Sequence, residues 1–278
     1  MDGPVGSSRG GMGRQSPRGR SVPRACGRDQ QPMATRRKLT VGIIGGMGPE
    51  ATSELFRRII RLTPARRDQD HLHLVIDSEP GVPDRTAALE GRGPSPVRHL
   101  VRSARLLEAA GCGLLAMPCV TAHAFIDKMR CAVDVPLLSI VEETAVAIRR
   151  IRCHGRGRAC VVGLLATDGT LRADIFRPLR KEFDLLLPDE RRQRDVMAAV
   201  YGPTGIKTVG PNAKAARLLE GAAGNLVSRG ADVIVAGCTE IPLALRTAVL
   251  NVPLIDTLNV LAEAVVRCAT KKRKAALR

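Results

Sequence analysis

The sequence predicts an α/β fold of two similar lobes, each a parallel sheet flanked by helices, and three observations carry that prediction. Short apolar runs alternate with amphipathic stretches along the 278 residues, the pattern of parallel βαβ units. Landmarks of the first half recur in the second. Val41-Gly42-Ile43-Ile44-Gly45 answers to Val162-Gly163-Leu164-Leu165-Ala166, with Gly42 and Gly163 121 positions apart. The run from Gly113 to Cys119 answers to that from Asp232 to Cys238 at an offset of 119, and Val135-Pro136-Leu137-Leu138 to Val252-Pro253-Leu254-Ile255 at 117. Finally, each half delivers one cysteine, Cys119 or Cys238, just past a buried strand. The lobes read as Rossmann-like, with the functional cleft between them, because ligands of open α/β sheets bind at the carboxyl edge of the strands.

Each element follows from the local pattern. Leu39–Gly45 reads as the first strand. Pro49–Leu62 reads as a helix, with Pro at its first turn where a missing N–H costs nothing. Leu72–Asp77 is a second strand and Val97–Ala110 a helix with Leu100, Ala104 and Leu107 on one face. Leu114–Met117 is the strand that delivers Cys119. Leu137–Ile140 reads as a short strand, followed by a helix over Glu142–Arg152. In the second half the pattern gives a strand at Ala159–Leu165, a helix from about Arg172 to Phe183, a long amphipathic helix at Ala213–Arg229 and the strand Val233–Ala236 that delivers Cys238. A last strand after Val252 and a helix over Leu258–Cys268 close the chain. The expected organisation is a basic tail over 1–38, a first lobe over 39–139 plus 252–270, a second lobe over 140–251 and a basic tail over 271–278.

The net charge of +17 invites a nucleic-acid reading, but its distribution argues against one. Residues 1–38 carry +7 and residues 267–278 carry +6, which leaves +4 for the body. The first segment is rich in Gly, Arg, Pro and Ser and is expected to be disordered, unless the chain starts at Met33. Stacking aromatics, which single-strand binders need, are almost absent. No apolar run approaches the roughly 18 residues of a membrane span. Eight cysteines without C-x-x-C pairs or a signal peptide read as reduced thiols, so a cytoplasmic protein is expected.

Gly45-Gly46-Met47-Gly48-Pro49-Glu50 joins a strand to a helix start, where free N–H groups favour a carboxylate or phosphate, and Ala166-Thr167-Asp168-Gly169-Thr170 is its counterpart. Gly46-x-Gly48-x-x-Ala51 also fits the loose dinucleotide pattern, with Asp77 as acidic partner, but a dehydrogenase gives no reason for duplicated cysteine loops. Two opposed thiols suit removal of a proton from one face of a carbon and delivery to the other, since a thiol titrates near 8.5. His123 and Glu240 stand close enough in sequence to orient or tune Cys119 and Cys238, and Thr121 and Thr239 give both a polar setting. His71-x-His73 has ligand-like spacing, which alternation along a strand explains, so no metal site is expected.

At these residues the chain resembles the aspartate/glutamate racemase family, and its aspartate racemase branch in particular. Val41 to Thr52 is similar to the amino-terminal signature of that branch, Pro118-Cys119-Val120-Thr121-Ala122-His123 to the first cysteine motif and Gly237-Cys238-Thr239-Glu240 to the second. Pro83-Asp84-Arg85-Thr86, Gly163 to Thr170 and Gly205-Ile206-Lys207 also look like family blocks. The resemblance implies an amino-acid racemase acting without pyridoxal phosphate or metal, with Cys119 and Cys238 as acid and base on opposite faces of the α-carbon, and a homodimer. It implies Arg85 and Lys207 as the cations for a side-chain carboxylate, and substrate contacts at Met47, Gly48, Thr121, Thr167, Thr170 and Thr239. Two positions depart from the pattern: Val120 stands where Asn is usual, and Glu79 replaces a common Asn and is expected to place an anion near Arg85. Alternatives are a hydantoin racemase, a maleate isomerase, a broader amino-acid racemase, or a non-catalytic or nucleic-acid-binding protein with this fold.

Overall fold

The computed structural model describes residues 38–151, 159–246 and 250–270. The expectations for residues 1–37 and 271–278 lie outside these residues. In chain order the elements are β1 (Val41–Gly45), α1 (Pro49–Leu62), β2 (Leu74–Ser78), α2 (Arg85–Leu89), α3 (Val97–Ala109), β3 (Leu114–Ala116), α4 (Ile126–Arg130), α5 (Ile140–Arg149), β4 (Val161–Leu165), α6 (Asp168–Arg172), β5 (Asp184–Leu186), α7 (Glu190–Tyr201), α8 (Ile206–Val209), α9 (Ala213–Ser228), β6 (Val233–Ala236), α10 (Ile241–Ala244), β7 (Leu254–Asp256) and α11 (Thr257–Thr270). Short 3-10 turns cover Asp68–Asp70, Thr121–Phe125 and Arg177–Lys181. No helix among the described residues is long and apolar enough to cross a membrane.

Two parallel sheets form, with orders β2-β1-β3 and β5-β4-β6-β7. In each, the strand that opens the repeat lies directly beside the strand that delivers a cysteine. The paired glycines mark that contact: a Cβ on Gly42 would lie 2.7 Å from Leu115 Cδ2, and one on Gly163 2.7 Å from Ile234 Cδ1. An apolar cluster runs through both lobes, from Val41 and Ile43 of β1 to Val162, Val233 and Ile255 of the second sheet, with Leu258, Leu261 and Val265 of α11 between. Two further clusters fill the outer faces, one under α3 and α4 and one under α7 and α9. Burial of each large aliphatic side chain in these layers contributes about 1.5–3 kcal/mol.

Several expectations need correction. Leu137 makes only an isolated bridge to Leu115, and the chain is already helical at Ile140. Ser139 explains this, because its side chain accepts from Glu142 N at 3.2 Å and caps α5. In place of a continuous helix over Arg172–Phe183 there is one turn, α6, then a 3-10 turn at Arg177–Lys181. Asp174 at φ 45° lies in the left-handed region and ends α6, and Pro178 cannot supply a ladder N–H. The pattern also missed α7, whose first turns, Glu190-Arg191-Arg192-Gln193-Arg194-Asp195, are polar on every side. Asp189 caps it, accepting from Arg192 N at 2.8 Å. The closing segment divides: β7 pairs with β6 in the second sheet, whereas α11 packs on α1 and β3 of the first. Last, Cys160 is disulfide-bonded, unlike Cys112, Cys119, Cys131, Cys238 and Cys268, so the all-reduced expectation fails there. The absence of C-x-x-C pairs speaks to redox and metal motifs and is silent on a single pairing.

Candidate active site

The β1–α1 loop is pinned from within. Thr52 Oγ1 accepts from Gly46 N at 3.0 Å and donates to the Gly48 carbonyl at 2.9 Å, which leaves the Met47 carbonyl to face both cations. Arg85 Nη2 donates to it at 3.1 Å and Lys207 Nζ at 3.3 Å, so one carbonyl is shared by a cation from each lobe. Arg85 Nη1 also donates to the Val82 and Pro83 carbonyls, at 3.2 and 3.1 Å. Its Nε is buried and has no hydrogen-bond partner. Burial alone would weaken the guanidinium's charge, yet neighbouring Cys119, and after it Tyr201 and Asp84, hold its pKa above the ordinary value.

Each thiol sits where a strand end gives way to a loop, and each is 5% exposed. The Cys238 thiol donates to Glu240 Oε2 at 3.0 Å. Burial and the Glu240 carboxylate together push Cys238 well above the usual thiol range. Glu240 Oε1 accepts from Lys207 Nζ at 2.7 Å, and Lys207 is held protonated because Glu240, Cys238 and Cys119 outweigh its burial. Thr239 Oγ1 donates to the Pro118 carbonyl at 3.1 Å, which ties the second cysteine loop to the first. Three hydroxyls form another contact between lobes: Thr121 Oγ1 lies 2.9 Å from Thr170 Oγ1 and 3.4 Å from Thr167 Oγ1, and Thr167 and Thr170 are 3.2 Å apart.

His123 does not face the thiol. Its Nε2 accepts from Ile140 N at 3.1 Å, so Nδ1 carries the proton and donates to the Cys119 carbonyl at 2.8 Å. Burial pushes its pKa down to about 4, so it is neutral and braces the cysteine loop against the start of α5. Of the two expected tuning residues, then, Glu240 touches its thiol and His123 touches only backbone. The Glu79 carboxylate accepts from Gly81 N at 2.8 Å and lies 3.6 Å from Arg102; it makes no hydrogen bond or ion pair with Arg85 among the described residues. Val120, 2% exposed, packs in the cluster that joins the lobes.

A cavity of about 230 Å³ opens beside these groups, with Met47, Gly48, Arg85, Lys207 and Glu240 in its wall. The structure therefore gathers Cys119, Cys238, Met47, Gly48, Arg85, Lys207, Thr239 and Glu240 at one place, with Thr121, Thr167 and Thr170 joined beside Cys119. Sequence reading missed Tyr201, the last residue of α7. Its ring lies 5.7 Å from Lys207 Nζ, and burial, with Cys238 nearby, raises its hydroxyl pKa despite 36% overall exposure. The signal available was that it is the chain's single Tyr, six residues before Lys207. Chemically, the arrangement offers two dry thiols in opposite electrostatic settings, one beside a carboxylate and one beside a guanidinium, with a cation-lined cavity at hand.

Comparison with known proteins matches the Asp/Glu/hydantoin racemase family over residues 44–265. The broad specificity amino-acid racemase RacX of Bacillus subtilis is 29% identical over 240 residues, covering 81% of this chain and 96% of that protein. The structure of Picrophilus torridus aspartate racemase superposes with a TM-score of 0.72 at 29% identity, covering 83% of this chain and 94% of that one. An aspartate racemase homologue from Pyrococcus horikoshii shares the fold, with a TM-score of 0.63 at 23% identity and coverage of 84% and 99%.

Proposed function

This chain belongs to the Asp/Glu/hydantoin racemase family and is an isomerase, and we propose that it interconverts the enantiomers of aspartate by a two-thiol mechanism without cofactor. The observation that carries the reading is the pair of buried thiols with unlike partners, tied together by the Thr239–Pro118 hydrogen bond. Cys238, whose proton is held by Glu240, is the resting acid. Cys119, beside Arg85, is the resting base: its thiolate takes the α-hydrogen as a proton, and Cys238 delivers a proton to the opposite face of the planar carbanion. The product leaves with Cys119 protonated and Cys238 as thiolate beside Lys207, the state that runs the reverse direction. Lys207 and Arg85 are the cations that receive the side-chain carboxylate, and exclusion of water from the site strengthens both contacts.

A broader amino-acid racemase is the second reading, because three of Arg85's hydrogen bonds already go to backbone carbonyls and Lys207 is paired with Glu240. Homodimeric assembly and a cytoplasmic location complete the proposal on family resemblance. The test is a chiral assay of purified protein on L-Asp, L-Glu and neutral amino acids. Racemisation of Asp that is lost in both Cys119→Ala and Cys238→Ala supports the proposal. Faster turnover of neutral amino acids selects the second reading, and normal activity in either variant rejects the mechanism.

A further inference from the structure

A larger cavity, about 580 Å³, runs along the solvent-facing side of α1, and no part of the mechanism uses it. Its α1 wall is written at helical spacing, with Glu50 and Glu54 on the first turns and Arg57, Arg58 and Arg61 on the later ones. At 1.5 Å per residue, Glu50 and Arg61 stand about 16 Å apart along the helix axis. The two ends therefore differ. The Glu50 end abuts the active-site cavity, since Glu50 lines both. Arg246, on the segment after α10, lines the same cavity as Arg57 and Arg61.

The pairing within the groove decides which charges are available. Arg58 is held between Glu54, at 2.9 Å, and Asp256, so these carboxylates are neutralised within the wall. Glu54 also lies 3.3 Å from Arg57. Neither Arg61 nor Arg246 has a carboxylate partner among the described residues. Two guanidiniums without an ion-pair partner thus line a concave space whose one other unpaired charge is the Glu50 carboxylate, about 16 Å from Arg61 along α1, and Pro242 and Leu243 of α10 supply an apolar wall. Guanidiniums in a concavity are suited to oxyanions, which they grip in two places at once. The volume falls within the range of small-molecule sites.

We propose that this groove binds a small multivalent oxyanion, a phosphate ester or a polycarboxylate, between Arg61 and Arg246. Its wall reaches the catalytic chemistry through α10, whose first turn follows Glu240.

The experiment is isothermal titration calorimetry of the full-length protein with inorganic pyrophosphate and, separately, with citrate. The wild type is set beside Arg61→Ala/Arg246→Ala and the charge-retaining Arg61→Lys/Arg246→Lys. Both arginines are exposed, so circular dichroism and racemisation of the double Ala variant are expected to match the wild type. Saturable binding that weakens at least about tenfold in the double Ala variant, and less in the Lys variant, supports the site. Preference for pyrophosphate or citrate identifies the anion class. Absence of saturable binding of either anion, or equal binding in wild type and the double Ala variant, overturns it. The calorimetric readout stands whichever amino acid the enzyme racemises.

Discussion

Thr239 Oγ1 donates to the Pro118 carbonyl at 3.1 Å, so the residue after one thiol holds the residue before the other. Thr239→Val keeps the shape and removes the donor. The buried carbonyl is then left unpaired at a cost of about 1–3 kcal/mol. The expected result is a lower midpoint in chemical denaturation together with a fall in kcat larger than any change in KM, because the spacing of the thiols loosens while the cation-lined cavity stays intact.

Glu240→Gln tests the electrostatic asymmetry. The carboxylate raises the Cys238 pKa, so its neutral isostere lowers that pKa and increases the thiolate fraction. Alkylation of Cys238 by iodoacetamide at pH 8, followed by peptide mass spectrometry, is expected to be faster in the variant. Racemisation is expected to fall, because Lys207 loses its partner and the resting acid loses its proton acceptor. Unchanged alkylation would remove Glu240 from control of the thiol.

His123 makes a defined contribution to acid sensitivity. Its folded-state pKa, about 4, lies below the ordinary value of 6.5, so the unfolded chain binds the proton more readily between those pH values. The stability that depends on neutral His123 is fully present above pH 6.5 and is lost as pH falls toward 4, on the order of 3 kcal/mol in total. Denaturation midpoints of wild type and His123→Gln measured across this window are expected to converge toward acid pH.

Gly169→Ala probes the contact between α2 and α6. A Cβ there would lie 2.5 Å from Thr86 Oγ1 and 2.8 Å from Thr86 Cα, and backbone cannot swing aside as a side-chain tip can. The cost is expected to be about 1–3 kcal/mol of overpacking, read as a lower Tm. Because Thr170 is the next residue and Arg85 precedes Thr86, racemisation is expected to fall with it.

Much of this site was legible in the sequence because its parts are local and repeated. Strand, loop and cysteine follow one another within a dozen residues, twice, and the glycines of β1 and β4 recur because each meets the same kind of neighbour. Helices such as α3 and α9 showed themselves through one apolar face, and α1 through the proline at its first turn. What stayed hidden depends on contacts distant in sequence or on polar surfaces. Tyr201 acquires its setting only when α7 brings it to Lys207, and α7 itself begins on six polar residues. His123 looked like a partner for Cys119 because four residues separate them. Only the placement of Ile140 N shows that both its ring nitrogens are taken by backbone. The pairing of Glu79 with Gly81 N and Arg102 likewise depends on the turn at Pro80-Gly81 and on α3, which the order of residues does not show.

The crossing of the chain between the sheets bears on how substrate enters. The backbone passes from the first sheet to the second after Leu137 and returns between Asp256 and Thr257, where α11 leaves β7 to lie on α1. α5 and α11 pack against each other at these passages, within the apolar cluster common to both lobes. A body joined to another by two adjacent chain passages swings about the line through them far more easily than it twists or slides. Any opening of the lobes is therefore expected to follow a single swing about α5 and α11, against the Thr239–Pro118 bond and the Thr121–Thr170 contact on the opposite side.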